Sequence, residues 1–360
     1  MSNQKVMFGM SGGVDSSVTA AVLMLEGYDV SGVTLRLYDG EDYESGISKT
    51  CCSMSDVEDA RAVCCRLGIP HYVFNFKQRF NEKVIKNFID EYESGRTPNP
   101  CIECNRRIKF DEMLNRAKLL GYDKIATGHY ASVDRRDDGR WLLKRAKDRN
   151  KDQTYVLYSL TQEQLSRTLF PLGALSKPQV RELACNYGFE NAEKPDSQDI
   201  CFVPDGDYAA FIERYTGKQS QSGEYVDVNG NFLGKNKGVI RYTIGQRKGL
   251  GIALGKPTFV ISKDAETNRV VLGDEALLFY RRVLVNDLNF IPFDELNGEM
   301  RVTAKLRYRH SEQPAVIRPC DGGVLIEFDE PQRAPSPGQA AVFYDGDTVV
   351  GGGTIVKGIE

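Results

Sequence analysis

The stretch Lys5–Ser17, KVMFGMSGGVDSS, decides the fold. Val6, Met7 and Phe8 make an apolar run of strand length, Gly9 to Gly13 break it, and a helical pattern runs from about Ser16 to Glu26. Gly12 and Gly13 let the backbone turn tightly and approach a ligand with its N–H groups inward. The helix behind them adds unpaired N–H groups and the positive end of its dipole, so the loop suits an anion. Ser11, Ser16 and Ser17 supply hydroxyls, and Asp15 puts a carboxylate beside the expected polyphosphate, where a metal ion or a ribose-side group would meet it. No lysine follows the glycines, which excludes the GxxxxGK[ST] loop of kinases and GTPases.

Outward from this loop, the chain alternates strands with helices. Tyr28 to Leu37 reads as a second strand, parallel to the first because a helix connects them, with Leu35 near the C-terminal end where open α/β sheets bind ligands. The next helix carries Val57, Ala60, Cys64 and Leu67 on one face, which makes Cys64 a core residue. His71 to Phe74 form a third strand, Phe80 to Tyr92 a helix, and Asp123 to Ala126 a further strand that runs into Thr127-Gly128-His129-Tyr130. His129 fits either a satisfied structural histidine or a ligand contact beside the nucleotide crevice. The run from Lys151 opens a helix, and Ser176 to Gly188 is another, with Val180, Leu183, Ala184 and Tyr187 on one face and Cys185 packed nearby. The pattern predicts a parallel sheet with helices on both faces.

From about Gly217 short alternating runs separated by glycines replace helical periodicity: Tyr225–Val228, Val239–Tyr242, Thr258–Ile261 and Arg269–Leu272. A second β series follows, Arg301–Arg309, Ala315–Arg318, Val324–Phe328, Ala340–Tyr344 and Val349–Val356, and suggests a small closed barrel. The expected domains are a nucleotide-binding α/β domain over 1–204, a small β-rich domain over 205–280 and a C-terminal β-barrel over 281–360. Gln246-Arg247-Lys248-Gly249 suits a tight turn or a hairpin that binds a nucleic-acid backbone. Lys305 to Arg309 alternates charge with an aromatic, as an RNA-contacting strand or an exposed barrel face would.

With 41 % hydrophobic and 27 % charged residues, the composition is that of a globular protein with a substantial core. A net charge of −3 argues against a protein that coats nucleic acid indiscriminately and leaves room for a local basic face. No apolar run approaches the roughly 20 residues of a membrane span, and no secretory leader precedes the first strand, so a cytoplasmic location without membrane partners is expected.

Nine cysteines in a reducing compartment read as core residues, catalytic thiols or metal ligands. Cys101 and Cys104 lie in GRTPNPCIECNRRIKF, Gly95 to Phe110, where two prolines forbid regular structure around Asn99 and present a loop. Arg96, Arg106, Arg107 and Lys109 surround these thiols with positive charge, which favours the thiolate. The CxxC suits half a metal site or a catalytic thiol; with three histidines in the chain and no second CxxC, zinc is disfavoured. Cys201 ends the polar segment KPDSQDICF, which starts at Lys194, and the pair Cys51-Cys52 closes a Gly/Ser-rich acidic loop over 38–53 with no assigned role. Basic residues crowd Lys144 to Lys151, as a solvated face or a phosphate-backbone contact.

The SGGVDSS loop resembles that of the ATP pyrophosphatases, enzymes that release pyrophosphate and leave AMP on an acceptor oxygen. Joined to TPNPCIECN at 97–105, ATGHY at 126–130, NKDQ at 150–153, CF at 201–202, YTIGQRKGLGI and SPGQAAVFYDG, it resembles the bacterial tRNA-specific 2-thiouridylases over essentially the whole length. The resemblance implies ATP with Mg2+ at Gly9, Met10, Ser11, Gly12, Gly13, Val14, Asp15, Ser16, Leu35 and Gly128, and adenylation of the C2 oxygen of the wobble uridine. It implies a persulfide on Cys201, received from a sulfur-relay protein or cysteine desulfurase, with Cys104 as the second catalytic thiol. Asn99, Pro100 and Cys101 match the segment that touches the target base; Lys151, Asp152, Gln153, Arg307, Tyr308, Gln339 and His129 match tRNA contacts. Cys101 stands where well-known members carry an aspartate, which weakens a general-base role and makes Cys101, Cys104 and Cys201 an alternative, less favoured iron–sulfur platform. A small-molecule ligase of the same fold would need no reactive thiols, and a non-catalytic tRNA-binding protein would need no nucleotide loop.

Overall fold

A computed structural model describes residues 3–38, 54–194 and 200–359. Cys51, Cys52, most of the 38–53 loop, and Pro195 to Asp199 of the Cys201 segment lie outside the described residues. The chain forms two compact units, one of residues 1–85, 100–206 and 347–349, the other of residues 86–99, 207–346 and 350–360.

The first unit is built on a parallel sheet. Strand β1 (Lys5–Gly9) leads through the glycine loop to helix α1 (Val14–Leu25), and β2 (Asp29–Arg36), α2 (Met54–Leu67) and β3 (His71–Asn75) follow. β4 (Lys124–Ala126) then returns to the other side of β1, and Thr168–Leu169 extends the sheet beyond it. Chain direction across the sheet therefore reverses between β1 and β4, and in open α/β sheets ligands bind at the strand ends beside that reversal. The registers pair Phe8 with both Gly32 and Ala126, so the loops after β1 and β4 leave the sheet side by side. Val6, Phe8, Val18, Ala21, Leu23 and Val30 are buried in the core, together with Cys64, which is fully buried as its helical spacing predicts. Burial without a compensating charge pushes the Cys64 thiol up to about 12 and leaves it inert. Cys185, expected to pack beside its helix, is exposed.

The second unit holds a four-stranded sheet and a barrel. The sheet runs Phe259–Asp264, Arg269–Gly273, Gly223–Val226, Phe232–Asn236, around buried Tyr225, Tyr242, Val260, Val270 and Leu272. Six strands, from Phe279–Phe290 to Thr348–Ile359, form the barrel, which closes where these two strands pair antiparallel. Closure removes sheet edges and buries Val283, Ile317, Ile326, Phe328 and Phe343 inside.

Several elements depart from the sequence pattern. The loop expected over Gly95–Phe110 ends at Asn99: Pro100 opens the helix Pro100–Cys104, where its missing N–H is not needed and its fixed φ suits the first turn. Asn105–Glu112 continues it as a π-helix. After Lys151 there is only a 3-10 turn, Thr154–Val156, because β-branched and aromatic residues are weak helix formers and the Thr154 hydroxyl is held by Asp152. Val239–Arg241 is a 3-10 turn rather than a strand; it follows Gly238, whose φ of 101° turns the chain and whose N–H binds Asn236 Oδ1. The strand expected over Arg301–Arg309 is Met300–Lys305, and a turn closed by His310 N–H to Arg307 O follows it. Helix Tyr208–Thr216, capped by Asp207 and ended by Gly217, had no reading in the sequence pattern.

Candidate functional site

The glycine loop is fixed by contacts with α2 and within itself. Gly12 has φ 70°, and a Cβ there would lie 2.6 Å from Asp56 O, so only glycine fits between the loop and α2. Gly13 is the N-cap of α1 and has no side chain to satisfy the helix's first N–H groups. Ser16 Oγ donates to Gly13 O at 2.9 Å and accepts from Ser11 N–H at 3.3 Å, which closes the loop on itself. From the β4 side, a Cβ on Gly128 would come within 3.2 Å of Asp15 C and Ser16 N, so the two loops are in backbone contact. Gly9 through Ser16 and Gly128 thus meet at the switch point, and Leu35, near the end of β2, is buried next to Phe74 in the register.

Asp15 is the most constrained group in the loop. Its Oδ1 accepts from the Tyr130 hydroxyl at 2.8 Å and from Lys177 Nζ at 2.8 Å. Lys177 is itself buried, so a compact cation stands against the loop although none follows the glycines in sequence. Asn191 Nδ2 donates to both Gly12 O and Ser17 Oγ at 2.9 Å, and Lys194 Nζ bridges Asp56 and Asp59 of α2 at 2.7 and 2.9 Å. Lys177, Asn191 and Lys194 carry no sequence motif. Only a basic or amide residue in the segment after a helix start could have signalled them, and such residues are common.

The NKDQ segment supports this loop from behind. Gln153 Oε1 accepts from Tyr130 N–H, and Gln153 N–H donates to Tyr130 O, both at 2.9 Å. Tyr130 in turn reaches Asp15. Asp152 is buried, accepting from Ala146 N–H at 2.9 Å and from the Thr154 hydroxyl at 2.5 Å. Lys151 is half-buried on the adjoining turn. His129 is buried between Phe110 and Phe170, with ring centroids 5.8 and 6.2 Å away, and its Nδ1 lies 2.8 Å from Thr127 Oγ1. Burial, reinforced by the charge of Lys109, holds its pKa well below the usual histidine value, so the ring is neutral near pH 7.

The thiols occupy three environments in the same unit. On the Pro100–Cys104 helix, Cys101 is exposed and Cys104 buried. Cys201, half-buried, sits in a turn whose carbonyl accepts from the Tyr38 hydroxyl at 2.5 Å. Tyr38 and Phe202 both pack on Phe80, at 6.2 and 5.7 Å between centroids. The π-helical turn that begins after Phe80 packs on the Pro100–Cys104 helix. One aromatic cluster therefore fixes the Cys201 turn and borders the element that supports Cys104. The positive surround expected for these thiols is partly balanced: Arg106 and Arg107 both face Glu103, at 3.9 and 3.6 Å, and Arg96 forks onto Glu91. Among the described residues no three His, Cys, Asp or Glu side chains converge as a metal-ligand set.

In the second unit, Tyr308 is 39 % exposed, with Lys305 over its ring. Arg307 Nη2 donates to Ala334 O at 2.9 Å and Ser336 Oγ at 2.8 Å, and Gln339 Nε2 to Thr97 O at 2.9 Å and Pro98 O at 3.3 Å. Asn99, next along the chain, ends the segment that belongs to this unit.

Residues 4–205 match the family model described as the tRNA methyl transferase HUP domain, 209–274 its PRC-barrel domain, and 280–355 an aminomethyltransferase β-barrel domain. The tRNA-specific 2-thiouridylase MnmA of Acetivibrio thermocellus is 56 % identical over 358 residues, covering 99 % of this chain and 100 % of that protein. A namesake from Thermoanaerobacter sp. is 54 % identical over 361 residues, and one from Clostridioides difficile 52 % over 359, each covering 99 % of both chains. With identity of this order over nearly every residue of each partner, the chain belongs to the tRNA-specific 2-thiouridylase family.

Proposed function

We propose that this chain, a tRNA-uridine 2-sulfurtransferase by family, adenylates the C2 oxygen of the wobble uridine of tRNA with ATP and then replaces it with sulfur carried by Cys201. The observation that carries this reading is one unit that holds an anion loop at a sheet switch point together with two thiol-bearing elements bordering one aromatic cluster. The phosphates of ATP lie against the N–H groups of Gly9–Ser16, where the α1 dipole and Lys177 stabilise the departing pyrophosphate. Magnesium accompanies ATP as a charge-neutralising ion, and the carboxylate of Asp15 has the hard oxygen chemistry to meet it.

The C2 oxygen attacks the α-phosphorus, the bond to the bridging oxygen breaks, pyrophosphate leaves and the N3 proton is lost to water. The terminal sulfur of the Cys201 persulfide attacks C2, and the C2–O bond breaks to release AMP. Cys104 thiolate then attacks Cys201 Sγ; the S–S bond breaks, the transferred sulfur stays on C2, and a Cys104–Cys201 disulfide forms. An external dithiol returns that disulfide to thiols, and a sulfur-relay protein or cysteine desulfurase reloads Cys201. Asn99, Pro100 and Cys101 face the target base, and Lys151 and Tyr308 meet the tRNA. The base must leave its stack, at a cost of roughly a few kcal/mol, which the single-stranded anticodon loop keeps low.

The test is transfer of labelled sulfur from a persulfide donor to bulk tRNA by metal-free protein with Mg-ATP, beside Cys101→Ser, Cys104→Ser and Cys201→Ser. Label that appears without iron, vanishes in Cys201→Ser and persists in Cys101→Ser supports the route. Label that needs iron–sulfur reconstitution and is lost in all three variants overturns it.

A further inference from the structure

We infer that Asn105 is a positioning residue for Cys104: its side-chain amide holds the Cys104 end of the thiol helix on the Thr154–Val156 turn, which also braces the nucleotide loop. This rests on the reaction proposed above only in taking Cys104 as the second thiol. The contacts themselves do not depend on it.

Asn105 follows Cys104 directly and is 2 % exposed, which is deep for a side chain that carries a full amide. Its Nδ2 donates to Val156 O at 2.9 Å, across 51 positions of sequence. That contact fixes which way the amide points, because the reverse orientation would set an oxygen against a carbonyl oxygen. Oδ1 is therefore turned away from Val156, and it is buried without a hydrogen-bond partner among the described residues. An orphaned buried acceptor is costly, and a leucine of similar size would remove that cost. What the amide supplies here is a fixed link between two segments rather than net stability.

The link falls where the backbone changes character. The helix Pro100–Cys104 ends at Cys104, and the π-helix Asn105–Glu112 begins at Asn105. Runs of π-helix are rare and cluster at functional positions, so this junction gains from an anchor outside its own helix. Val156, the anchor, ends the 3-10 turn, and its N–H donates to Gln153 O at 3.1 Å. Gln153 exchanges two hydrogen bonds with the Tyr130 backbone, and the Tyr130 hydroxyl donates to Asp15. From Cys104 to Asp15 each step is a covalent neighbour or a hydrogen bond of 3.1 Å or less, all within the first unit. Removing Nδ2 cuts this run at the thiol and leaves Gln153, Tyr130 and Asp15 joined. The step that needs Cys104 should then fail while the step that needs the nucleotide loop continues.

The experiment follows single turnovers of full-length protein with bulk tRNA, Mg-ATP and a persulfide donor, without external dithiol. It reads pyrophosphate release, and labelled sulfur on free tRNA against label on tRNA still joined to protein. Iodoacetamide alkylation of Cys104 and Cys201, read by peptide mass spectrometry without ATP or tRNA, is measured beside them. Asn105→Leu keeps the volume and removes the donor and the orphaned acceptor together, so Tm should stay close to that of the wild type. In this variant alkylation of the buried Cys104 should accelerate about 10-fold, with that of Cys201 within about 2-fold. Label on free tRNA should appear about 10-fold more slowly, while the rate of pyrophosphate release stays within about 2-fold. The missing label should accumulate on tRNA held to Cys201 through the S–S bond that Cys104 no longer attacks, and dithiothreitol should free it. Asn105→Ser, too short to reach Val156 O, should reproduce this split, and it decides the matter if the leucine variant does not melt cooperatively. Loss of cooperative melting in both variants would make Asn105 a folding residue and overturn the inference. Pyrophosphate release and sulfur transfer that fall together would overturn it, as would unchanged Cys104 alkylation or unchanged sulfur transfer. Wild-type protein that transfers no sulfur would sink the proposed reaction, while faster alkylation confined to Cys104 would still report the anchor.

Discussion

Replacing Lys177 with methionine removes the positive charge that the structure sets against the Asp15 carboxylate while keeping an unbranched side chain of similar length. The pair is 2.8 Å apart, with the Lys177 side chain 10 % and the Asp15 side chain 31 % exposed. At an effective dielectric near 20 the gross attraction is about 6 kcal/mol. Desolvation of Lys177 and water at Asp15 offset most of it, leaving a net contribution of about 2 kcal/mol, the range of a hydrogen bond to a charged group. Lys177→Met should therefore lower unfolding free energy by about 2 kcal/mol in urea melts. It also leaves Asp15 uncompensated where the phosphates of ATP arrive, so the KM for ATP in tRNA-dependent pyrophosphate release should rise about 10- to 100-fold, equivalent to about 1.4 to 2.8 kcal/mol. Asp15→Asn in the same chain removes the stranded charge, so the double variant should regain stability and remain poor in pyrophosphate release. Wild-type stability and an unaltered ATP KM in Lys177→Met would refute the argument that this ion pair organises the loop.

Other consequences follow from single contacts. Gly12→Ala forces a left-handed conformation costing about 1–2 kcal/mol and drives a methyl into the α2 backbone at Asp56, so calorimetry should show ATP affinity reduced at least about 10-fold; unchanged binding would exclude the close approach. His129 stays neutral in the folded chain while the unfolded chain takes up a proton below about pH 6.5, so its contribution is complete above that pH and is lost as pH falls, at up to about 1.4 kcal/mol per unit. The pH slope of stability from 6.5 to 5 should be shallower by about one proton in His129→Gln, with His71 and His310 titrating in both proteins; identical slopes would contradict burial of a neutral ring. Asn191→Leu leaves Gly12 O and Ser17 Oγ without their shared donor, and ATP KM should rise several-fold with little change in tRNA affinity; a loss confined to tRNA affinity would contradict its placement.

The parallel sheet, its switch-point loop and the β-rich second half were all legible in the sequence, because each rests on local periodicity and on glycines whose conformational role is local. Cys64 was legible as core for the same reason: helical spacing alone puts it with Ala60 and Leu67 in the core of the first unit. Cys104 and Cys201 stood out in the sequence through their motifs. That an aromatic cluster around Phe80 fixes the Cys201 turn and borders the element supporting Cys104 required the tertiary structure, since ring packing across more than a hundred residues leaves no periodic trace.

The partners of the loop were invisible for a related reason. Lys177, Asn191 and Tyr130 reach Asp15 and Gly12 from elements far along the chain, and a lone lysine after a serine reads as an ordinary helix start until the fold turns it inward. Likewise only the tertiary structure shows the hydrogen bonds of residues whose motif implied tRNA contact: Asp152 with Ala146 N–H, Gln153 with Tyr130, and Gln339 with Thr97 and Pro98. A sequence motif records which residues a site needs. It does not record whether a polar side chain faces the substrate or the backbone that presents it, because hydrogen-bond direction is decided only when distant segments close to within 3 Å.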